Sequence, residues 1–268
     1  LYSRDRNLWH ISHEGGPLED PAVEPPGEMF MLTRDPADAP AAGVEVSVAF
    51  AKGVPVALDG ERLDGVSLIE RLNRIAGENS IGRLDLVENR LVGIKSRGVY
   101  ETPAGTVLVQ AHRELESLCL DRATQHFKQT LAGRYAELVY DGLWYTPLRR
   151  ALDAFVATTQ ENMTGEVTLR LRRGTLTVVG RRSRHSLYDA ALGSFVMGEE
   201  YDPRHAEGFI RLFGLPTRGS GIDLVERTVA PATGAAPAPE PAGRARSTAR
   251  AGSAAARRAG SALKGARP

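Results

Sequence analysis

The sequence of 268 residues predicts an α+β domain with an antiparallel or mixed sheet and packed helices, and three observations carry that reading. Residues 44–58 and 165–180 alternate apolar and polar side chains with period two around a glycine turn, as hairpins do. Several longer stretches repeat apolar residues at the 3.6 spacing of amphipathic helices. Strands and helices also intermix without the regular rhythm of a doubly wound parallel sheet.

The elements follow in order. Residues 1–43 are dense in turn formers, with Gly15-Gly16-Pro17, Glu24-Pro25-Pro26-Gly27 and Asp35-Pro36 breaking any period. A connection of that length is functional or disordered, and Leu8, Trp9, Ile11, Leu18, Met29, Phe30 and Leu32 predict a long loop that packs. Val44, Val46 and Val48 begin the first hairpin, which returns through Val54 to Leu58. Leu68, Ile69, Leu72 and Ile75 predict a helix over 67–76, with Gly77 as a left-handed stop. Residues 83–95 predict two short strands around Glu88-Asn89-Arg90, with Val92 and Ile94 on the second. Helices are predicted over 104–118 and 122–140, with Gly133 marking a break or a close contact. Another begins at Pro147, a residue suited to a first helical turn. The hairpin 165–180 turns at Arg173-Gly174 and carries Arg170, Arg172, Arg181, Arg182 and Arg184 on a strongly basic outer face. A short strand over 194–197 and a helix over 203–213 complete the fold.

From Val229 to Pro268 the composition shifts to Ala, Pro, Gly and Ser with five or more arginines and one acid, Glu240. Too few large apolar groups remain to offset the entropy of ordering. The predicted organisation is therefore a folded domain over 1–228 and a disordered Ala/Pro/Arg-rich tail over 229–268. That tail is read as a solvated extension rather than a nucleic-acid arm.

Composition excludes several classes. The formal net charge is +1, so nothing overall demands a polyanion or a membrane surface. The single cysteine, Cys119, sits between Leu118 and Leu120 as a buried thiol and permits no internal disulfide. No apolar run approaches the ~20 residues of a spanning helix, and the first residues carry no secretory signature, which predicts the cytoplasm. The opening at Leu1, without a methionine or a usual capping element, reads as the interior of a longer protein.

Neither a dinucleotide nor a Walker-type phosphate loop is present. His10, His13 and Glu14 form the one close grouping of metal-ligand types, and a solvated pair of loop histidines is the reading preferred there. Ser183, His185, Ser186 and Asp189 lack the oxyanion hole or nucleophile elbow that a hydrolytic triad requires. More informative are Leu18-Glu19-Asp20-Pro21, the run Val87-Glu88-Asn89-Arg90 through Val99-Tyr100-Glu101, Tyr135 to Tyr140, and Glu207-Gly208-Phe209-Ile210. Each mixes charge, glycine and aromatics as a polar small-molecule pocket would.

Those segments, with Ser3, the stretch from Trp9 to Gly16 and Val179-Gly180-Arg181, resemble in order the carboxy-terminal synthetase and multimerisation domain of the argininosuccinate synthase family, from Leu1 to Pro216. The resemblance implies an ATP-dependent ligase that joins citrulline and aspartate, forming AMP and pyrophosphate, in the cytoplasm and as a homotetramer. It implies citrulline contacts at Ser3, Ser12, Glu88 and Tyr100, and no catalytic, cofactor or metal residue in this chain. ATP with Mg2+ is implied as co-substrate, held mainly by an amino-terminal nucleotide-binding domain whose Ser-Gly-Gly loop is absent from these residues. By itself such a chain would not turn over. The sequence departs from the family beyond Pro216, where a helical arm is usual and Gly219-Ser220-Gly221 stands instead. A module that binds citrulline or scaffolds an assembly, having lost the nucleotide domain, is the alternative reading.

Overall fold

A computed structural model describes residues 2–193 and 202–217, which fall into two units divided at Tyr201 and Asp202. The first unit contains two antiparallel sheets. One has the order β1 (Ser3–Arg6), β2 (Ile11–Glu14), β7 (Lys95–Glu101), β6 (Arg83–Asn89). The other has the order β5 (Glu61–Arg62), β4 (Val54–Leu58), β3 (Val44–Ala51), β8 (Gly165–Arg172), β9 (Thr175–Ser183).

The five-stranded sheet carries the main core. Val46, Val48, Phe50, Val167, Leu169 and Leu171 turn inward from alternate positions, as period-two strands must. They meet Leu68 and Leu72 of α1 (Gly65–Glu78) and Val107, Ala111 and Leu115 of α2 (Pro103–Cys119). Asp64 starts α1 by accepting the Val66 and Ser67 N–H groups at 3.0 Å each, satisfying donors that have no intrahelical partner. The helices α3 (Arg122–Tyr140) and α4 (Pro147–Gln160) form a hairpin. Its helices touch through Phe127 and Phe155, edge to face at 5.5 Å, and through the Tyr135 hydroxyl donating to Asp153 at 2.6 Å. Buried Cys119 is a free thiol at the end of α2, as its apolar neighbours predict.

Several local expectations are corrected. The segment 1–43 is not wholly loop: β1 and β2 form a hairpin, followed by short 3-10 turns at Gly16–Glu19 and Gly27–Met29 that bury Leu18 and Met29. Gly77 does not stop α1. It lies inside the helix where a Cβ would sit 2.1 Å from the Leu32 carbonyl oxygen, so it admits a close backbone crossing, and the left-handed residue is Ser80 at φ 63°. Val92 and Ile94 belong to the turn between β6 and β7, not to a strand, and are 76% and 62% exposed. Gly133 neither breaks α3 nor faces a close neighbour. The hairpin β8–β9 is less basic outside than its sequence suggests. Arg170 pairs with Glu45 at 2.6 Å, and Arg181 pairs with Glu114 of α2.

In the second unit, Pro203 precedes α5 (Arg204–Phe213), whose Phe209 and Phe213 stack at 5.0 Å, and a 3-10 turn follows at Leu215–Thr217. The strand expected over 194–197 and the tail expected from 229 onward lie outside the described residues. No helix among the described residues is long and apolar enough to cross a membrane.

Candidate functional site

The four-stranded sheet positions the candidate residues by register. Ser12 pairs with Asp5 on β1 and with Tyr100 on β7, Ser3 pairs with Glu14, and Tyr100 pairs with Leu84 on β6. Directly opposed residues share a sheet face, and positions two apart along a strand share it too. Ser3, Ser12, Glu88 and Tyr100 therefore all lie on one face, with Asp5, Glu14, Ser96 and Gly98. None of the four was placed by an apolar pattern, yet the pleat collects them.

On that face the Tyr100 hydroxyl donates to Glu88 Oε1 at 2.7 Å. Burial, then this bond, then the nearby Glu14 carboxylate push the Tyr100 phenol well above its usual range, because all three disfavour a phenolate. Tyr100 thus stays a donor toward Glu88. Glu88 keeps its second oxygen without a partner among the described residues. The ring of His10 lies 5.9 Å from that of Tyr100. Ser12 is 6% exposed, whereas Ser3 is exposed at the sheet edge. The Arg90 guanidinium, from the turn after β6, donates to Glu14 Oε2 at 3.1 Å. Three carboxylates, Asp5, Glu14 and Glu88, against one guanidinium make the face suited to N–H and ammonium donors.

A cleft of about 560 Å³ opens beside this face, lined by Ser3, Glu14, Arg90, Lys95 and Ser96 among others. Ser3 alone of the four candidates lines it; Ser12, Glu88 and Tyr100 lie further along the same face. A cavity of about 750 Å³ between α2, α3 and the β3–β4 turn contains none of the four.

The opposite face of the sheet fastens it to the loop beneath. His13 and Glu101, both fully buried, meet through His13 Nε2 and Glu101 Oε2 at 2.9 Å. Arg4 Nε donates to His13 Nδ1 at 3.1 Å, so the ring proton sits on Nε2 and is given to the carboxylate. Glu101 also accepts the N–H groups of Met31, Leu32 and Thr33 and the Thr33 hydroxyl, at 2.7 to 2.8 Å. Burial alone would raise its pKa. The Met31 N–H, the Thr33 hydroxyl, His13 and the Leu32 N–H outweigh burial and hold the carboxylate below its ordinary range. Leu18, Met29 and Val99 form a small buried apolar cluster.

Glu101 is the residue that sequence reasoning missed, although it ends the segment singled out above. His10 and His13 do not converge on a metal. They lie on opposite faces, and His13 is a buried strand residue, not the solvated loop histidine expected. The Ser183 hydroxyl donates to the Thr164 carbonyl and accepts the His185 N–H. Of the remaining segments, Arg97 ties Asp20 and Val23 to β7 through their carbonyls at 2.8 and 2.9 Å, and Tyr135 to Tyr140 lies in α3.

The profile of a family described as the arginosuccinate synthase C-terminal domain matches residues 2–220. Among named relatives, argininosuccinate synthase of Pelotomaculum thermopropionicum is 61% identical over 217 residues, covering 81% of this chain and 54% of the relative. The protein of the same name from Moorella thermoacetica is 56% identical, covering 81% and 53%. That of Carboxydothermus hydrogenoformans is 58% identical, covering 81% and 54%. The chain spans about half the length of the curated relatives it matches.

Proposed function

Since the chain belongs to the family of argininosuccinate synthase carboxy-terminal domains, we propose that it supplies the citrulline-binding side of an ATP-dependent ligase that condenses citrulline with aspartate. The observation that carries the site assignment is the convergence of Ser3, Ser12, Glu88 and Tyr100 on one sheet face, with Tyr100 donating to Glu88 at 2.7 Å. Citrulline brings a neutral ureido group and a zwitterionic amino acid. A free Glu88 oxygen can take N–H or ammonium protons, and the Ser3 and Ser12 hydroxyls can donate or accept.

In the reaction proposed, the ureido oxygen of citrulline attacks the α-phosphorus of ATP and expels pyrophosphate. The aspartate amine then attacks the ureido carbon of the adenylated citrulline and expels AMP, leaving argininosuccinate. ATP enters as its magnesium complex, whose charge the metal offsets, and is held by the part of the protein that this chain does not span. The residues described here bind and orient citrulline. This reading assigns them no base or cation on the phosphates, so the chain by itself is expected to form no AMP. In the same reading the protein works in the cytoplasm as a homotetramer, with a folded domain over 1–228 and an unstructured extension over 229–268.

The test joins the chain to the amino-terminal half of the Pelotomaculum thermopropionicum relative and measures AMP formation with citrulline and aspartate. Glu88→Gln is expected to raise the citrulline KM by about tenfold or more, the worth of a hydrogen bond to a charged group, with the aspartate KM unchanged. Equal kinetics for wild type and Glu88→Gln would overturn the assignment. AMP formation by the chain alone would overturn the division of labour.

A further inference from the structure

We propose that Gly98 is a positioning residue: it clears the space in which the Tyr100 ring lies down along β7, and only from there can the Tyr100 hydroxyl engage Glu88. The inference rests on the reading of this face as the citrulline site, but the geometry behind it does not.

Tyr100 and Glu88 are not register partners. Tyr100 opposes Leu84 on β6, while Glu88 opposes Ser96. Four residues of strand separate Leu84 from Glu88, about 13 Å at the usual rise. A tyrosine standing upright from the sheet cannot close that gap. The hydrogen bond at 2.7 Å therefore requires the ring to lie along its own strand, over the position two residues earlier on the same face, which is residue 98.

The structure shows that arrangement. A Cβ built on Gly98 would stand 2.8 Å from Tyr100 Cε2, 2.8 Å from its hydroxyl oxygen and 2.9 Å from Cζ. The far end of the tyrosine thus rests directly on the bare Cα. Backbone conformation does not explain the glycine, because Gly98 is not among the residues of positive φ. Glycine in a strand interior is ordinarily a loss, through entropy and missing packing, and it marks a place where something approaches closely. Here that something is the phenol. On β7 the alternation becomes a division of labour: Ser96, Gly98 and Tyr100 build the open face, while Arg97, Val99 and Glu101 fasten the other.

The consequence for binding is specific. With Glu88 Oε1 accepting from the tyrosine, Oε2 is the oxygen left without a partner among the described residues, and the carboxylate is held in one direction. A side chain at 98 would lift the ring, release Glu88 and leave a carboxylate free to turn. The obstruction involves only the mobile end of Tyr100, so the fold should survive it.

The experiment compares Gly98→Ala, Tyr100→Phe and the double variant. In the chain alone, the ionisation of Tyr100 is followed by the carbon resonance of its labelled phenol ring, assigned by its disappearance in Tyr100→Phe. In wild type this resonance should stay un-ionised through the ordinary tyrosine range around 10, and in Gly98→Ala it should titrate within that range while the melting temperature is kept. In the ligase assembled with the relative's amino-terminal half, Gly98→Ala should raise the citrulline KM about tenfold with little change in kcat. It should have no added effect in the Tyr100→Phe background, as expected for residues that act through one contact. An unchanged Tyr100 titration in Gly98→Ala, or additive effects in the double variant, would overturn the proposal. A shifted titration with citrulline kinetics untouched in all three variants would uphold the positioning and refute the citrulline reading.

Discussion

The two sheets of the first unit are held by different forces. The five-stranded sheet is fastened by apolar burial: Val48, Val167, Leu169 and Leu171 are fully buried against Leu68, Leu72, Val107 and Leu115 of the two helices. The four-stranded sheet contributes only Ile11 and Val99 as fully buried apolar strand residues, and puts His13 and Glu101 beside them. A sheet with one face open and polar is not sandwiched between apolar layers. Its other face compensates with directed hydrogen bonds, which fix position more sharply than apolar contact does but depend on each partner being present.

The largest expected effect follows from that dependence. Glu101→Gln replaces a carboxylate that accepts five hydrogen bonds with an amide whose N–H groups would confront the backbone donors of 31–33. Loss of one partner from a buried charged network costs about 3–5 kcal/mol, and chemical denaturation would measure it. Amide exchange should accelerate in 31–33 and in β2 before it does in β3 or β8. The pH dependence shares the cause. The folded pKa of Glu101 is depressed below its ordinary value of 4.5, so its contribution is complete above that pH. It is lost as the pH falls through the folded value, where the protonated carboxyl can no longer accept every donor. Glu101→Gln should show a flatter acid limb than wild type. A cost below about 1 kcal/mol, within the range of a single neutral hydrogen bond, would break the contrast between the sheets.

Much of the fold was legible because its elements obey simple periods. Pro147 starts α4 as a first-turn proline should, and the hairpins β3–β4 and β8–β9 show the alternation of half-buried sheets. The hairpin β1–β2 hid inside an apparent loop for a physical reason. β1 is an edge strand reading Ser-Arg-Asp-Arg with both faces exposed, and β2 has only Ile11 as an apolar residue on its packed face, followed there by a histidine, His13. The turn after β6 misled in the opposite direction, since Leu91, Val92 and Ile94 are apolar yet exposed. The four candidate residues came from resemblance, because hydroxyls and a carboxylate on alternate positions carry no periodic signal. Glu101 stayed invisible because three of its five donors are backbone N–H groups, which no side-chain pattern records.

A smaller effect tests the apolar side of the comparison. Leu169→Ala removes a fully buried side chain from the five-stranded sheet and should cost about 2–4 kcal/mol through lost transfer energy and the cavity left behind. Its signature differs from that of Glu101→Gln: the acid limb should keep its wild-type slope, and the Tyr100 titration should not move. A displaced Tyr100 titration would show that the two sheets share one packing unit after all.

The smallest effects come from two ion pairs, each joining an arginine to a carboxylate on a neighbouring strand. Arg170 meets Glu45 across β8 and β3 with both side chains about half exposed, and water can replace each partner for the other. Exposed pairs of this kind contribute about 0.2–1 kcal/mol, so Arg170→Ala should scarcely change the denaturation midpoint. Arg97 meets Asp85 at 2.7 Å with its own side chain only 7% exposed, and the same guanidinium donates to the Asp20 and Val23 carbonyls. Removing it takes away a shielded guanidinium that a partly exposed carboxylate and two loop carbonyls share, for which about 1–2 kcal/mol is expected. That loss should come with faster amide exchange around 20–23, and added salt should weaken the Arg170 pair far more than the Arg97 one. Equal costs for the two substitutions would mean that the sheet bearing the candidate site relies on polar anchoring no more than its apolar neighbour does.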